Sequence, residues 1–395
     1  MEDSFCFDRI VERKGSGCVK WDAKRPVEVE GDVIPLWVAD MDFPAAPCIR
    51  KAMQERMDHG VFGYTCVPRA YYECVSKWFS RRHGWTPDPS WMIYTTGVVP
   101  GISAVIKALA APGDEVVILT PVYNCFFSCI RNNDCVISES PLRTVTGPRY
   151  VIDFEDLERK CASPRAKILL MCNPHNPAGR LWTREELEKV AAIARRHGVI
   201  IVSDEIHCEL VAPGSHYIPM AVIDQANCVT LCSPSKSFNI AGLQMATIVT
   251  DNPDWLARID KAININEICD VNPFAPVAGM AAYSEEGEKW LDELNKYIYA
   301  NYDYLCGRLR SELPDFPVYE MEATYLAWVD CHVLKMSSQE IEEELLRSEK
   351  VWVNAGSMYG AEGFVRINLA TSRALLSEGL DRMIRGLERL HREAR

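Results

Sequence analysis

The sequence lacks long apolar runs, an excess of basic residues and a recognisable secretory leader. No window approaches the roughly 18 uninterrupted apolar residues that a membrane-spanning helix needs, so we expect no membrane association. The formal net charge is −12, from 55 acidic and 43 basic residues, which argues against nucleic acid as a partner because such partners require a basic face. The N-terminus has no basic segment followed by an apolar one, so we predict a cytoplasmic protein.

A metal-binding cysteine pattern is also missing. The chain has 16 cysteines, but they are scattered through apolar segments, as Cys172 and Cys228 illustrate. Cysteines in such surroundings usually act as small buried hydrophobic residues in a cytosolic protein. The pair Cys125 and Cys129 does not belong to a four-ligand zinc pattern. We therefore predict no metal site.

The middle of the chain contains short apolar runs that alternate with helical patterns. The runs predicted as strands cover residues 116–120, 167–172, 199–203, 228–232 and 246–250. Thr183 and Glu186 fit a capping box at the start of a helix, and Gly198 is a natural end for it. Continuous β-branched runs separated by helices are typical of a mostly parallel sheet that is buried on both faces. The pattern predicts an α/β fold with crossover helices.

The length and the change of texture along the chain predict two domains. A chain of 395 residues with 48% hydrophobic residues suits one large and one smaller domain. After about residue 285, long helical patterns cover residues 285–309, 337–350 and 375–390, with short strands at 325–329 and 364–368. We predict an N-terminal segment (1–47) that packs with a small α+β domain (285–395), and a large domain (48–284) between them.

Polar residues follow several of the predicted strands, at the sheet edge where open α/β sheets bind ligands. The segments are residues 96–99 (TGVV), 173–177 (NPHNP), 204–207 (DEIH) and 233–236 (SPSK). Each has an ordinary alternative when taken alone. The Asn-Pro segment could be a tight loop, Asp204 a helix cap and Lys236 a solvated surface residue. Their joint occurrence after successive strands favours a functional site.

Six motifs resemble a known family across nearly the whole chain. They are PLWVADMDF at 35–43, FGYT at 62–65, CNPHNPAGRLWT at 172–183, SDEIHCEL at 203–210, SPSKSFNIAGLQ at 233–244 and FVRINLA at 364–370. The set resembles the pyridoxal 5'-phosphate (PLP) enzymes of fold type I, in the aminotransferase class I/II superfamily. More narrowly, it is similar to the MalY/PatB group of cystathionine beta-lyases. The resemblance implies the PLP-dependent transferase fold, with PLP as cofactor and a small amino acid as substrate.

The resemblance also implies roles for the residues that contact the cofactor ring. Lys236 would hold PLP as a Schiff base, and Asp204 would keep the pyridine nitrogen protonated so that the ring can accept electrons. Asn176 would donate a hydrogen bond to the ring oxygen, with a further role in substrate binding. Tyr123 would stack on the ring and take part in catalysis, the less favoured alternative being an ordinary core aromatic. His207, where many relatives have Tyr, would bond near the ring oxygen.

The phosphate group of PLP needs several donors, and the resemblance assigns them to two segments. Gly97 would allow close approach of the chain, and the amides of Val98 and Val99 would begin a helix whose positive end faces the anion. Ser233 and Ser235 would add hydroxyl groups.

Three further positions follow from the resemblance. Arg366 would bind the substrate α-carboxylate through its bidentate guanidinium, the alternative being a surface salt bridge. Tyr64 would reach the phosphate of the neighbouring subunit, which makes a homodimer part of the function. Many superfamily members have Arg where this chain has Gln244, and that departure, like His207, is typical of the beta-lyase group.

The expected reaction is the α,β-elimination of L-cystathionine or a related cysteine S-conjugate to a thiol, pyruvate and ammonia. Neither Lys236 nor Asp204 distinguishes elimination from transamination, so an aminotransferase for an L-amino acid is the alternative. A third reading is a regulatory protein-binding role, because the MalY-like group includes a member that binds a transcriptional activator.

Overall fold

The computed structural model describes residues 5–267 and 270–394. Positions 1–4, 268, 269 and 395 of the predicted domain ranges lie outside the described residues. The strands of the described part are β1 (Ile34–Pro35), β2 (Met92–Thr95), β3 (Glu115–Thr120), β4 (Val136–Pro141), β5 (Arg143–Thr144), β6 (Tyr150–Val151), β7 (Ala166–Cys172), β8 (Ile200–Asp204), β9 (Cys228–Cys232), β10 (Ala246–Val249), β11 (Leu326–Asp330), β12 (Val351–Trp352), β13 (Asn354–Ala355) and β14 (Phe364–Asn368).

The α-helices of the same described ranges alternate with these strands in the middle of the chain and dominate its C-terminal part. They are α1 (Val19–Asp22), α2 (Pro47–His59), α3 (Arg69–His83), α4 (Val98–Leu109), α5 (Asn124–Arg131), α6 (Phe154–Cys161), α7 (Arg184–His197), α8 (Met220–Asp224), α9 (Pro253–Asn264), α10 (Ala275–Ala282), α11 (Glu285–Glu312), α12 (Ser338–Glu349) and α13 (Arg373–Glu393). None of them is both long and apolar enough to cross a membrane.

The main sheet has seven strands in the order β2-β10-β9-β8-β7-β3-β4. Every neighbouring pair is parallel except the two pairs that involve β10, which runs antiparallel to both β2 and β9. The mostly parallel α/β fold predicted from the apolar runs is therefore confirmed. The sequence did not predict that β10 is antiparallel, because a continuous run of apolar residues does not indicate the direction of a buried strand.

Both faces of the main sheet are covered, which explains its continuous apolar strands. Val116 and Ile118 of β3 pack in one cluster with residues of α4 and α5. Val117 and Leu119 point to the other face and pack in a second cluster with residues of α6 and α7. Alternate side chains of a strand point to opposite faces, so a strand between two helical layers needs apolar residues at every position.

Helix α7 shows how local sequence sets the element boundaries. The Thr183 hydroxyl accepts from the backbone amide of Glu186, and the Glu186 side chain accepts from the backbone amide of Thr183. The helix ends at Gly198, which has a φ of 66°. Few other residues adopt this left-handed conformation without strain. The predicted capping box and helix end are both confirmed.

The C-terminal part forms a second, smaller sheet that contacts the N-terminal segment. Strands β11, β14 and β13 form an antiparallel sheet in that order. Strand β1 pairs in parallel with β12, and the backbone amide of Asn368 donates to the carbonyl of Leu36 at 2.8 Å. These bonds place residues 34–36 against the C-terminal sheet. The domain boundaries at residues 47 and 284 stay predictions.

Candidate active site

Five strands of the main sheet end at the same edge and deliver the predicted site residues to one cavity. Asp204 is the last residue of β8, and the segments that follow β2, β3, β7, β8 and β9 carry Gly97, Tyr123, Asn176, His207, and Ser235 with Lys236. They line a cavity of about 420 Å³. Arg366 of β14 and residues 37–39 of the N-terminal segment complete its wall. The parallel strand order therefore explains why residues far apart in sequence meet here.

Lys236 lies in the turn after β9, and its side chain is partly exposed to the cavity. Its Nζ donates to the carbonyl of Ala39 at 2.5 Å, and the Tyr325 hydroxyl donates to the same oxygen at 3.0 Å. Burial and, after it, the nearby charge of Arg366 lower the pKa of Lys236 to about 8. A substantial fraction of its amine is therefore unprotonated at mildly alkaline pH, as a nucleophile or base requires.

Asp204 is the last residue of β8 and is buried in the cavity wall. It accepts a hydrogen bond from the backbone amide of Ile206 at 3.1 Å. No basic side chain of the described residues forms an ion pair with it, and burial raises its pKa to about 7. Residues 205–219 contain no helix, so Asp204 is not a helix cap. A buried carboxylate without a counter-ion is a candidate partner for a cationic ligand atom.

Arg366 is buried in β14 and has donors left for a ligand. Its Nη1 donates to the Asn176 side-chain oxygen at 3.1 Å, and its Nη2 donates to the Trp37 carbonyl at 3.2 Å. The guanidinium carbon lies 4.5 Å from the Tyr359 ring centre. Within the described part of the chain, the Nε has no acceptor and no carboxylate pairs with the guanidinium. The alternative of a surface salt bridge is therefore wrong.

His207 lines the cavity beside these charges and is neutral. Burial and then the positive charges of Lys236 and Arg366 lower its pKa to about 3. Its Nδ1 is buried and finds no partner among the residues that the structure describes. The imidazole can therefore offer a ligand one hydrogen bond without changing its charge in the physiological range.

The predicted phosphate donors divide into those that reach the cavity and one that does not. Val98 and Val99 form the first turn of α4, where backbone amides have no intrahelical acceptor, and both line the cavity with Gly97 and Ser235. Ser233 does not line it. Its hydroxyl donates to the carbonyl of Met245 at 2.6 Å, so its one proton is already used.

Tyr64 lies apart from this cavity. Its side chain is 97% exposed on the surface of the chain. Position 244, where the family often has a cation, lies in the cavity wall and has a neutral amide. For a phosphate group, the described residues of this wall therefore offer backbone amides and hydroxyl groups, with no cation at position 244.

The cavity also has wall residues that we did not predict from the sequence. They are Trp37, Asn354, Met358 and Tyr359, among others. The Asn354 side-chain amide donates to the Trp37 carbonyl at 3.0 Å and to the Tyr359 hydroxyl at 2.9 Å. These bonds join the N-terminal segment to the C-terminal sheet around Arg366. Trp37 lies in a recognised motif, as do the wall residues Val38, Ile206 and Ala241, whereas Asn354, Met358 and Tyr359 lie outside the motifs.

Comparison with known proteins identifies the family. Residues 31–383 match the model of the family described as aminotransferase class I and II. The cystathionine beta-lyase PatB of Bacillus subtilis is 40% identical over 95% of this chain and 98% of its own length. Protein MalY of Escherichia coli is 33% identical over 97% of this chain and 99% of its own.

A solved structure agrees with these relatives. The PLP-bound C-S lyase from Staphylococcus hominis superposes with a TM-score of 0.90 at 33% identity, over 97% of this chain and 99% of that one. The fold type predicted from the motifs is confirmed by this likeness. This chain belongs to the aminotransferase class I and II family, and within it to the group that contains PatB and MalY.

Proposed function

We propose that this chain is a PLP-dependent carbon–sulfur β-lyase that cleaves L-cystathionine or related cysteine S-conjugates to a thiol, pyruvate and ammonia. The observation that carries the proposal is the cavity in which Lys236, Asp204 and Arg366 lie together without forming ion pairs. The relatives support the same activity, since PatB is named a cystathionine beta-lyase and the Staphylococcus protein a PLP-bound C-S lyase.

The cavity fits PLP by the chemistry of its unpaired groups. The buried Asp204 carboxylate suits a protonated ring nitrogen. Two groups suit the ring oxygen, namely the buried Nδ1 of His207 and the side-chain NH₂ of Asn176. Neither forms a hydrogen bond to a described residue, since Asn176 contacts Arg366 through its side-chain oxygen. Tyr123 would stack on the ring, and Ser235 with the first amides of α4 would hold the phosphate.

When bound, PLP supplies a ring that accepts the negative charge developing at the substrate Cα. Lys236 would hold the cofactor covalently and, once the substrate amine displaces it, take the Cα proton on its Nζ. This step needs an unprotonated amine, which the lowered pKa of about 8 favours. The Ala39 carbonyl accepts from Nζ and thereby positions it.

Arg366 would orient the substrate by binding its α-carboxylate. The guanidinium is fixed by Asn176 and by the Trp37 carbonyl, so little side-chain entropy is lost when the carboxylate arrives. Asp204 would meanwhile hold the proton on the ring nitrogen. The side chains that surround the substrate Cβ would then determine whether the leaving group departs or the amino group is transferred.

We further propose that the active form is a homodimer in which Tyr64 reaches the partner's phosphate site. The side chains of Val61, Phe62 and Tyr64 are 63%, 50% and 97% exposed, and all three lie in one short segment. Clustered exposed apolar side chains are typical of interaction surfaces. Sedimentation of the purified protein tests the dimer, and a monomer with full activity would contradict it. Cytoplasmic location also stays a prediction.

The decisive experiment separates elimination from transamination. Purified, PLP-loaded protein is incubated with L-cystathionine in the absence of any keto acid, and pyruvate and free thiol are followed. We expect both products in equal amounts. Transfer of the amino group to an added keto acid, without pyruvate formation in its absence, would overturn the lyase proposal in favour of an aminotransferase.

A further inference from the structure

The buried acidic side chains of the described residues fall into two groups. Those that form ion pairs with basic side chains are Asp42, Asp156, Glu209 and Asp224. Asp204 and Glu205 are buried as well, but neither forms an ion pair within the described ranges. Asp204 faces the cavity, whereas Glu205, the next residue, is absent from the cavity wall. The mechanism above uses Asp204 and leaves Glu205 without a role.

The surroundings of Glu205 are built to hold a carboxylate. Its Oε1 accepts from the Ser203 hydroxyl at 2.8 Å and from the Met220 backbone amide at 2.9 Å. The Asn173 side-chain amide makes a longer contact of 3.5 Å with the same oxygen. The Tyr217 hydroxyl donates to Oε2. The backbone N–H of Met220 and the NH₂ group of Asn173 can only donate, so these partners match Oε1 as an acceptor.

Among the described residues, no cation forms an ion pair with Glu205. His83, whose ring centre lies 4.9 Å from that of Tyr217, pairs with Glu209 instead. The titratable groups whose charges interact with it are Asp204, Tyr217, Cys208, Cys228 and Cys232. Burial raises the pKa of the tyrosine and of all three thiols, which therefore stay neutral. Burial also raises the pKa of Glu205 to about 7, against the effect of its hydrogen-bond donors. Among these five groups, Asp204 is therefore the one whose charge Glu205 can influence in the physiological range.

We propose that Glu205 is a positioning residue that acts through Asp204, where its charge strengthens the hold of the site on a proton at the cofactor ring nitrogen. This inference rests on the proposed PLP-dependent function. Two adjacent carboxylates without a counter-ion are unfavourable by themselves. A protonated ring nitrogen beside Asp204 would supply the missing positive charge. Because Glu205 is the next residue after Asp204, its negative charge would add to the attraction between the site and that nitrogen.

The test is a Glu205→Gln variant, which removes the charge but keeps the hydrogen bonds. The Gln oxygen can accept from Ser203 and Met220, and its amide can donate to the Tyr217 hydroxyl, because a phenol can accept as well as donate. NMR of bound PLP labelled at the ring nitrogen measures protonation directly, without reference to activity. We expect the pH of ring deprotonation to fall by about one unit and PLP to bind roughly tenfold more weakly. We also expect kcat to fall roughly tenfold while KM changes less than about twofold.

Glu209→Gln is the matched control. Glu209 is a buried carboxylate five positions after Asp204, but its partners are Arg82 and His83, and it is absent from the cavity wall. We expect Glu209→Gln to lower the melting temperature without moving the ring-nitrogen titration. An unchanged titration in Glu205→Gln, or an equal shift in Glu209→Gln, would overturn the inference.

Two further comparisons keep the outcome interpretable. If Glu205→Gln does not fold, Tyr217→Phe removes one donor to the carboxylate and should shift the titration in the same direction by a smaller amount; no shift would count against the inference. Wild-type protein that binds no PLP, or forms no pyruvate, would overturn the proposed function itself. Normal wild-type behaviour with unaltered variants would overturn the role of Glu205 alone.

Discussion

The N-terminal segment and the cavity beside it differ in whether their charged side chains form ion pairs. In the N-terminal segment, Arg13 donates to Asp40 at 2.7 Å and to Asp42 at 2.8 Å, and the fully buried Lys20 donates to Asp42 at 2.7 Å. Burial alone would raise the pKa of Asp42, but Lys20, Trp21 and Arg13 together hold it below its ordinary value. Every member of this network therefore has a partner of opposite charge.

The cavity contains charged groups that lack such partners. Lys236 donates to a carbonyl, Arg366 to a carbonyl and a neutral amide, and Asp204 accepts from a backbone amide. The pKa of Lys236 falls and that of Asp204 rises, so both move toward neutrality. The difference teaches that paired charges hold loop 37–43 in place, whereas unpaired ones mark where a charged ligand binds.

The largest expected effect comes from removing the cavity lysine. Lys236→Ala should abolish the visible absorbance of the purified enzyme and lower lyase activity by roughly 10³-fold or more, because it removes both the covalent attachment and the general base. The folded protein should remain, since no ion pair is lost. Absorbance spectra and pyruvate assays measure the effect, with the exposed Lys14 replaced by Ala as control. A visible band in Lys236→Ala would mean that another lysine holds the cofactor.

The paired network should respond in stability instead. Asp42→Ala leaves the buried Lys20 without its carboxylate, so we expect a loss of about 3–5 kcal/mol in the free energy of unfolding. Urea denaturation measures this loss. The exposed pair of Lys14 and Asp32 is the control, and Asp32→Asn should leave the unfolding midpoint unchanged. Equal midpoints for the wild type and Asp42→Ala would show that the network does not stabilise the fold.

A smaller effect separates two buried arginines. Arg366→Ala removes a charge-assisted contact worth roughly 1.5–3 kcal/mol, so KM should rise about 10- to 100-fold. Arg366→Lys keeps the charge but loses the bidentate geometry, so its KM should lie between those of the wild type and Arg366→Ala. Arg180, which is buried but paired with Glu186 and Glu322, is the control, and Arg180→Ala should lower stability rather than raise KM. Unchanged kinetics in Arg366→Ala would exclude it as the carboxylate partner.

Much of this arrangement could be predicted from the sequence because it depends on local patterns. The apolar runs predicted the strands of the main sheet, and residues 228–232 and 364–368 match β9 and β14 at both ends. Motifs at the strand ends then predicted which polar residues meet, since parallel strands share one ligand-binding edge. Lys236, Asp204 and Asn176 lie where this reasoning places them, although their chemical roles stay predictions.

The remaining features depend on contacts between distant segments. The Ser233 hydroxyl turns to Met245, and the Asn354 amide bridges Trp37 and Tyr359, both through bonds that no local pattern encodes. Glu205 gives no signal of its own in sequence, because a charged residue after a strand is ordinarily solvated. Its burial without a cation is visible only once Tyr217 and Met220 fold over it.

The smallest effect concerns pH and follows from the shifted lysine. Covalent attachment of PLP to cofactor-free protein requires the unprotonated amine of Lys236, whose pKa burial and Arg366 lower to about 8. The attachment rate should rise roughly tenfold per unit up to that pH and then level off. Stopped-flow absorbance measures the rate, and a rate that keeps rising roughly tenfold per unit beyond about pH 9 would contradict the shift.

The same shift has a defined effect on stability. Between about 8 and the ordinary value of 10.5, the unfolded chain binds a proton at Lys236 that the folded chain does not, so cofactor-free protein should gain stability as pH rises through this window. Arg366→Gln removes one cause of the lowered pKa and should move the midpoint of PLP attachment upward. In the N-terminal network, by contrast, we expect replacement of one charged partner to change mainly the free energy of unfolding. A midpoint that stays at the wild-type value in Arg366→Gln would leave burial alone as the cause of the lowered pKa of Lys236.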